Sequence, residues 1–232
     1  MKTTLSTMKT FHYFILLLLV IPFEVTSCNS VSNNTEELSN NTEDQIIAQI
    51  ETETPSAIAP YGAVQDAGSL SSPEITGILL MREEEKMAKD IYTFFFNKFD
   101  YRIFNNISKS ETVHAEAMLR LITYFKLSDP STTTAGTYSN PELQELYNKF
   151  VSEATTVEDA LRTGAFIEEY DIADLKKLIS ETGNSYIIRV YSNLKRGSEN
   201  HLRAFTRMLK LKGIVYEPQI LDKEEYLSII NK

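Results

Sequence analysis

Glu111 and His114 stand three residues apart, and on a helix that spacing points a carboxylate and an imidazole the same way. Outside the N-terminal segment the chain has one more imidazole, His201, and its single Cys is Cys28. With one Cys there is no disulfide framework, no Cys-rich zinc site and no Cys-x-x-Cys redox pair within the chain. Chemistry must therefore come from carboxylates, imidazoles or hydroxyls. A Glu-x-x-His by itself is a weak signal, since chance matches on solvent-facing helices are common. A lone His on an apolar face is more often a hydrogen-bonded core residue than a ligand. Convergence of several such groups is what carries weight, and that depends on the elements that hold them.

Residues 73 to 232 read as helices. Ser72-Pro73-Glu74 supplies an N-cap, a proline at the first helical position and an acid in the first turn, opening a helix to about Phe99. Asn105 or Asn106 caps a second, to about Lys126. Asn140-Pro141-Glu142 starts a short one ending near Ala154. Thr156-x-x-Asp159 resembles a capping box and opens a third long helix to about Glu181. A fourth runs from Ser185 to about Lys212 before Gly213, and Asp222-x-x-Glu225 begins a short terminal helix. No stretch alternates at period two for long enough to be a strand. Four helices of about 20 to 28 residues predict an all-α protein, an antiparallel four-helix bundle with short accessory helices.

The inward seams of these helices are not wholly apolar. The second long helix carries Glu111 and His114 among Ile107, Met118 and Leu121, and the fourth carries Ser198 and His201 among Leu194, Phe205 and Met208. Glu168 lies between Ala165 and Ile172 on the third, and Glu85 between Met81 and Ala88 on the first. An isolated buried carboxylate costs several kcal/mol, so four helices that each turn an ionisable group inward need a neutralising partner. A metal pair provides one: carboxylates bridge and chelate, and neutral imidazole adds nitrogen ligands.

At these positions the chain resembles the ferritin-like superfamily. Glu85-x-x-Ala88-x-x-x-Tyr92 looks like the first-helix ligand motif of rubrerythrins and bacterioferritins, Glu111-x-x-His114 like the second-helix pair, and Glu168 takes the third-helix place. Met81 to Lys86, Gly164 to Leu175 and Arg196 to Phe205 are similar, more closely, to an uncharacterised bacterial and archaeal ferritin-like family, a domain of unknown function. The resemblance covers residues 73 to 231. It implies a ferritin-like bundle with a dinuclear metal centre, expected to hold two iron ions, with manganese or mixed metals as the alternative, and it brings no substrate. The symmetric pattern expects Glu-x-x-His on the fourth helix as well, but position 198 is Ser. Asp171, one turn beyond Glu168, could replace the missing carboxylate, as rubrerythrins take two from their third helix. The expected ligand set is Glu85, Glu111, His114, Glu168, Asp171 and His201. Glu84 and Glu169 remain as register alternatives; spacing does not separate Glu84 from Glu85, and the family motif favours Glu85. Tyr92 and Tyr191 lie nearby and are expected to be core residues with satisfied hydroxyls.

The N-terminal 72 residues have a different character. Lys2 and Lys9 precede an apolar run from Phe14 to Phe23, too short to span a bilayer, which describes a signal peptide over residues 1 to 27. Val25-Thr26-Ser27-Cys28 resembles a bacterial lipobox, so Cys28 is the expected lipidation site and a lipid membrane the expected partner. Localisation would be the cell envelope, at the outer membrane in a two-membrane cell. Residues 28 to 72 hold seven acids, no Lys or Arg, and a repeated Ser-Asn-Asn-Thr-Glu; they are expected to form a disordered acidic tether, with a short helical turn at Gln45 to Ile50. Net charge is -9, with 32 acidic against 23 basic residues, which argues against nucleic acid as a partner.

Two functions follow as expectations. One is an oxidoreductase reacting with dioxygen or peroxide, of ferroxidase or peroxidase type, drawing electrons from Fe(II) or from an electron-donor partner because the chain has no rubredoxin-type centre. The other is a non-catalytic, lipid-anchored helical module that binds metal or a partner, with a homodimer as one form. A storage cage is disfavoured by the anchor and tether.

Overall fold

The computed structural model describes residues 45, 46 and 69–232. The expected signal peptide, Cys28 and nearly all of the expected tether lie outside the described residues. The first long helix, α1 (Ser72–Phe99), begins with a capping box in which Ser71 and Glu74 bond reciprocally, with Pro73 in the first turn. Its N-cap is thus Ser71, one residue before the expected Ser72. It ends at Asp100, whose backbone is left-handed (φ 50°) and whose N–H donates to the Phe96 carbonyl at 2.8 Å.

The link to α2 (Arg102–Tyr124) is only two residues long. The expected cap at Asn105 or Asn106 is not used: the N-cap of α2 is Tyr101, four residues before Asn105, and it makes no side-chain cap bond. Packing explains the difference. Ile103 and Phe104 are fully buried, and the Phe104 ring lies 5.4 Å from that of Phe95 and 5.9 Å from that of Phe205. Burying two large apolar side chains contributes about 1.5–3 kcal/mol each, more than the ~1 kcal/mol of a good cap.

Next come α3 (Pro141–Glu153), capped by Asn140, and α4 (Val157–Glu181), opened by the Thr156–Asp159 capping box. The last long helix is α5 (Ser185–Leu211), capped by Asn184, and α6 (Lys223–Ile230) follows, capped by Asp222. Gly213 takes a left-handed φ of 75° just after α5, where the Ile214 N–H returns to the Leu209 carbonyl at 2.9 Å; a side chain there would be strained. No strand occurs among the described residues.

Four long helices form the antiparallel bundle expected of the pattern. α1 packs on α2 and α4, and α5 packs on α4 and α2. Tyr92 meets Phe104 while Arg82 bonds the Ala115 carbonyl, so α1 and α2 run in opposite directions. Asp171 meets Ser198 and Gly164 lies against Phe205, which gives the same relation for α4 and α5. Ser110 of α2 reaches His201 of α5 while Tyr124 meets Tyr186, again antiparallel. Consequently α2 and α4 point the same way, and the chain between them must return along a helix of about 35 Å; residues 125–156, containing α3, make that return.

The core divides into two apolar clusters. One, around Tyr92, Phe95, Phe104, Ile107, Leu161 and Phe205, fills one end of the bundle. The other, around Ile78, Met81, Met118, Leu121, Leu175 and Leu194, fills the opposite end. The ionisable seam residues lie between the two. Ile46 is buried in the first cluster and, with Gln45, is helical. At that point the expected tether is packed on the domain.

Candidate metal centre

On α1, four successive residues, Glu83, Glu84, Glu85 and Lys86, are all buried. Successive side chains turn by about 100°, so each meets a different neighbour. Glu83 accepts the backbone N–H groups of Ser139 and Asn140 at 2.6 and 3.0 Å and so anchors the start of α3. Lys86 donates to Asp90 at 2.6 Å and to the Thr134 carbonyl at 2.9 Å. Glu85 faces the bundle axis, its Oε2 3.3 Å from His114 Nδ1.

The centre is built around Glu111. Its Oε2 lies 2.7 Å from His114 Nδ1 and its Oε1 2.7 Å from His201 Nδ1. Glu168 Oε2 is 3.5 Å from the same nitrogen of His201. The imidazole rings are inclined to each other by 28°, with centroids 5.5 Å apart. Two groups result, Glu85–Glu111–His114 and Glu111–Glu168–His201, each with ligand atoms within 4.8 Å of one another and each wholly buried. Glu111 belongs to both, the position of a bridging carboxylate.

The residues fit a pair of cations. Glu111 Oε1 and His201 Nδ1 are in close contact, yet neither has a hydrogen-bond partner, and Glu85 Oε1 is also without one. Buried polar atoms are almost always hydrogen-bonded, so lone pairs that converge without an aligned proton are the arrangement a metal ion satisfies. The outer nitrogen of His201 lies 3.0 Å from the Ser110 hydroxyl, which can fix its ring as partners of ligating imidazoles do. His114 departs from this pattern, since its Nε2 has no partner. That edge of the ring is set by α5: a Cβ on Gly197 would fall 2.5 Å from both Cε1 and Nε2, so the ring can stand where it does only beside a glycine.

Electrostatics among the protein groups alone show how tightly the charges are coupled. Burial pushes the Glu85 carboxyl up to about 8, against the pull of His114. Burial also opposes ionisation of Glu111, but His201 and His114 outweigh it and hold that carboxyl well below the usual range. Burial disfavours a charged His201, yet Glu111 and Glu168 raise it to about 10, and Glu111 with Glu85 likewise raise His114 well above its usual value. In the metal-free centre both imidazoles thus hold their protons more tightly than usual, and a cation bound there would compete with those protons.

Five of the six expected ligands, Glu85, Glu111, His114, Glu168 and His201, meet in these two groups. Asp171 stands beside them and outside both groups, its carboxylate accepting the Ser198 hydroxyl across α4 and α5. It therefore occupies the space opposite the position where a fourth-helix Glu was expected. Glu199 points away and pairs with Lys195 at 2.5 Å. Tyr92 donates to Glu168 Oε1 at 2.6 Å and leaves Oε2 toward His201, so its hydroxyl is satisfied as expected; that of Tyr191 has no partner. Ser110 and Gly197 were not among the expected site residues. Neither residue type signals a site, and their roles depend on α2 lying against α5.

Glu169 is excluded as a ligand by its own partners. It is fully buried and accepts from Tyr216 Oη at 2.5 Å and from the N–H groups of Gln219, Ile220 and Leu221 at 3.1, 3.1 and 3.0 Å. This carboxylate ties the segment before α6 to the bundle. Glu169→Gln should destabilise the fold by about 1.5–3 kcal/mol, the scale of hydrogen bonds to a charged group, while leaving metal content unchanged. Thermal denaturation and elemental analysis of the variant check both parts.

Comparison with known proteins places the chain. It is 46% identical over 164 residues, 70% of this chain and 89% of the other, to an uncharacterized protein, MJ0754, of Methanocaldococcus jannaschii. The crystal structure of hypothetical protein MJ0754 from Methanococcus jannaschii DSM 2661 superposes with a TM-score of 0.71 at 44% identity, covering 73% of this chain and 98% of that one. Residues 74–232 match the family described as an uncharacterized protein domain (DUF2202), and the chain belongs to that family.

Proposed function

We propose that this protein is a ferritin-like dinuclear metal protein, with iron as the expected metal, that reacts with dioxygen or peroxide. The supporting observation is the pair of buried carboxylate–imidazole groups sharing Glu111, with unpartnered ligand atoms facing one another. Two iron ions held there would supply reversible ferrous–ferric redox chemistry. Glu85 and His114 would hold one ion, Glu168 and His201 the other, and Glu111 would bridge them. Tyr92 orients Glu168 through its 2.6 Å hydrogen bond, and Ser110 orients His201. The apolar clusters at either end of the bundle keep bulk water from the carboxylates. Export and anchoring through Cys28 would place the domain at the cell envelope of a bacterium. Among the described residues no helix is long and apolar enough to cross a membrane.

The experiment is to load the purified protein with Fe(II) without oxygen, then add oxygen or hydrogen peroxide and follow Fe(III) formation. Faster oxidation than in protein-free Fe(II) solution supports the oxidoreductase. Metal bound without such acceleration replaces it with the non-catalytic metal-binding module.

The protonated centre also sets a pH dependence. The groups with raised values lose protons on unfolding, so stability of the metal-free protein falls as pH rises. For Glu85 the contribution is present below the usual carboxylate value of 4.5 and is lost through about 8. For His201 it is present below 6.5 and is lost through about 10. Glu111 acts the other way, and its contribution is lost only as pH falls below the carboxylate range. Metal binding expels the imidazole protons, so metal affinity should rise between about pH 6 and 9. Over the same range the melting temperatures of metal-loaded and metal-free protein should move apart. Affinity that stays flat across this range contradicts proton displacement.

A further inference from the structure

Glu83, Glu84 and Glu85 are consecutive and all buried, but no N–H or hydroxyl donates to either oxygen of Glu84, which is only 4% exposed. Glu83 holds two backbone N–H groups and Glu85 faces His114. The acidic groups facing Glu84 are carboxyls, Asp174 and Asp171 of α4, and the buried Tyr191 hydroxyl lies near it without bonding to it. A buried carboxylate that no donor bonds and that faces two other carboxyls is costly unless a cation or a shared proton visits it.

Its position says which. Glu84 and Asp171 line a small cleft between α1 and α4 whose inner surface includes Glu85, Glu111 and Glu168, with Ala88 among its apolar walls. Asp174, one helical turn from Asp171, is only partly buried. A series of carboxylates thus runs inward from Asp174 through Glu84 and Asp171 to the ligands Glu85 and Glu168. We propose that this is the route by which a divalent cation enters, with Asp174 as the outer capture group and Glu84 as the transfer ligand that passes the ion to Glu85. A cation leaving water needs replacement oxygens at each step, and hard carboxylate oxygens without competing donors supply them. Clefts lined by one sign of charge also raise the on-rate of the opposite ion, by about 10–1000-fold. This inference rests on the dinuclear reading above.

Anaerobic uptake of Co(II), followed by its visible absorption in a stopped-flow instrument, tests the route without calling on turnover. Wild type, Glu84→Gln and Asp174→Asn should reach the same final cobalt content, with Glu84→Gln loading about tenfold or more slowly and Asp174→Asn a few-fold slowly. Asp174 is partly exposed, so its variant keeps the test valid if Glu84→Gln fails to fold. Wild-type loading rates in the variants would overturn the route and leave Glu84 sharing a proton with Asp174. A lower final cobalt content in Glu84→Gln would overturn it by making Glu84 a ligand of the centre itself. Failure of wild type to take up cobalt would instead overturn the dinuclear reading, and the route with it.

Discussion

Glu111→Gln abolishes binding at both metal positions and destabilises the metal-free protein. Glu111 is the one residue common to the two ligand groups, and each of its oxygens faces a different imidazole at 2.7 Å. An amide keeps the shape but offers one oxygen and no charge, so neither metal retains its bridge. In the metal-free protein the same change leaves two buried imidazoles that Glu111 no longer neutralises. Removing one partner of a buried ion pair costs about 3–5 kcal/mol, or a fall in melting temperature of roughly 6–20 °C for a domain of this size. Calorimetric metal titration and thermal denaturation measure the two effects. Full metal content in the variant would mean that Glu111 is a structural counterion only.

Gly197→Ala separates the two positions. A single methyl would fall 2.5 Å from Cε1 and Nε2 of His114, inside van der Waals contact, while no such clash involves His201. His114 is buried on every side, so the ring must tilt away and carry Nδ1 off its place beside Glu85 and Glu111. Metal content is expected to fall to about one ion per chain, with the remaining ion at Glu168 and His201, and affinity at the disturbed position to drop by about 100-fold or more, beyond the usual effect of changing an outer partner. Elemental analysis and a binding isotherm check this. Unchanged content would mean that the ring shifts at no cost to the centre.

The outline of the fold was legible wherever local chemistry decides it. Pro73, Asn140-Pro141 and the Thr156–Asp159 pair mark helix starts that the structure keeps, because caps depend on residues within a turn of one another. The start of α2 was not, because the burial of Ile103 and Phe104 against other helices overrides the Asn signal. Seam spacing placed Glu111, His114, Glu168 and His201 on the axis, since a helical period survives packing, and the family motif added Glu85. Spacing could not separate Glu84 from Glu85, because α1 is buried on several faces, by α2, α4 and the approach to α3. It also left Glu169 open beside Glu168. Only the Gln219–Leu221 segment, some fifty residues away, reveals Glu169 as a structural anchor. Gly197 and Ser110 depend in the same way on contacts between α2 and α5 that no local pattern encodes.

Equilibrium titration of the full chain with Fe(II) or Mn(II) under anaerobic conditions, read by elemental analysis, tests the dinuclear centre most directly. About two ions per chain are expected for wild type, as the two ligand groups require, with a clear loss in both His114→Ala and His201→Ala. Fewer than about two ions in metal-replete wild type, or binding indifferent to both substitutions, would contradict a dinuclear centre at Glu111.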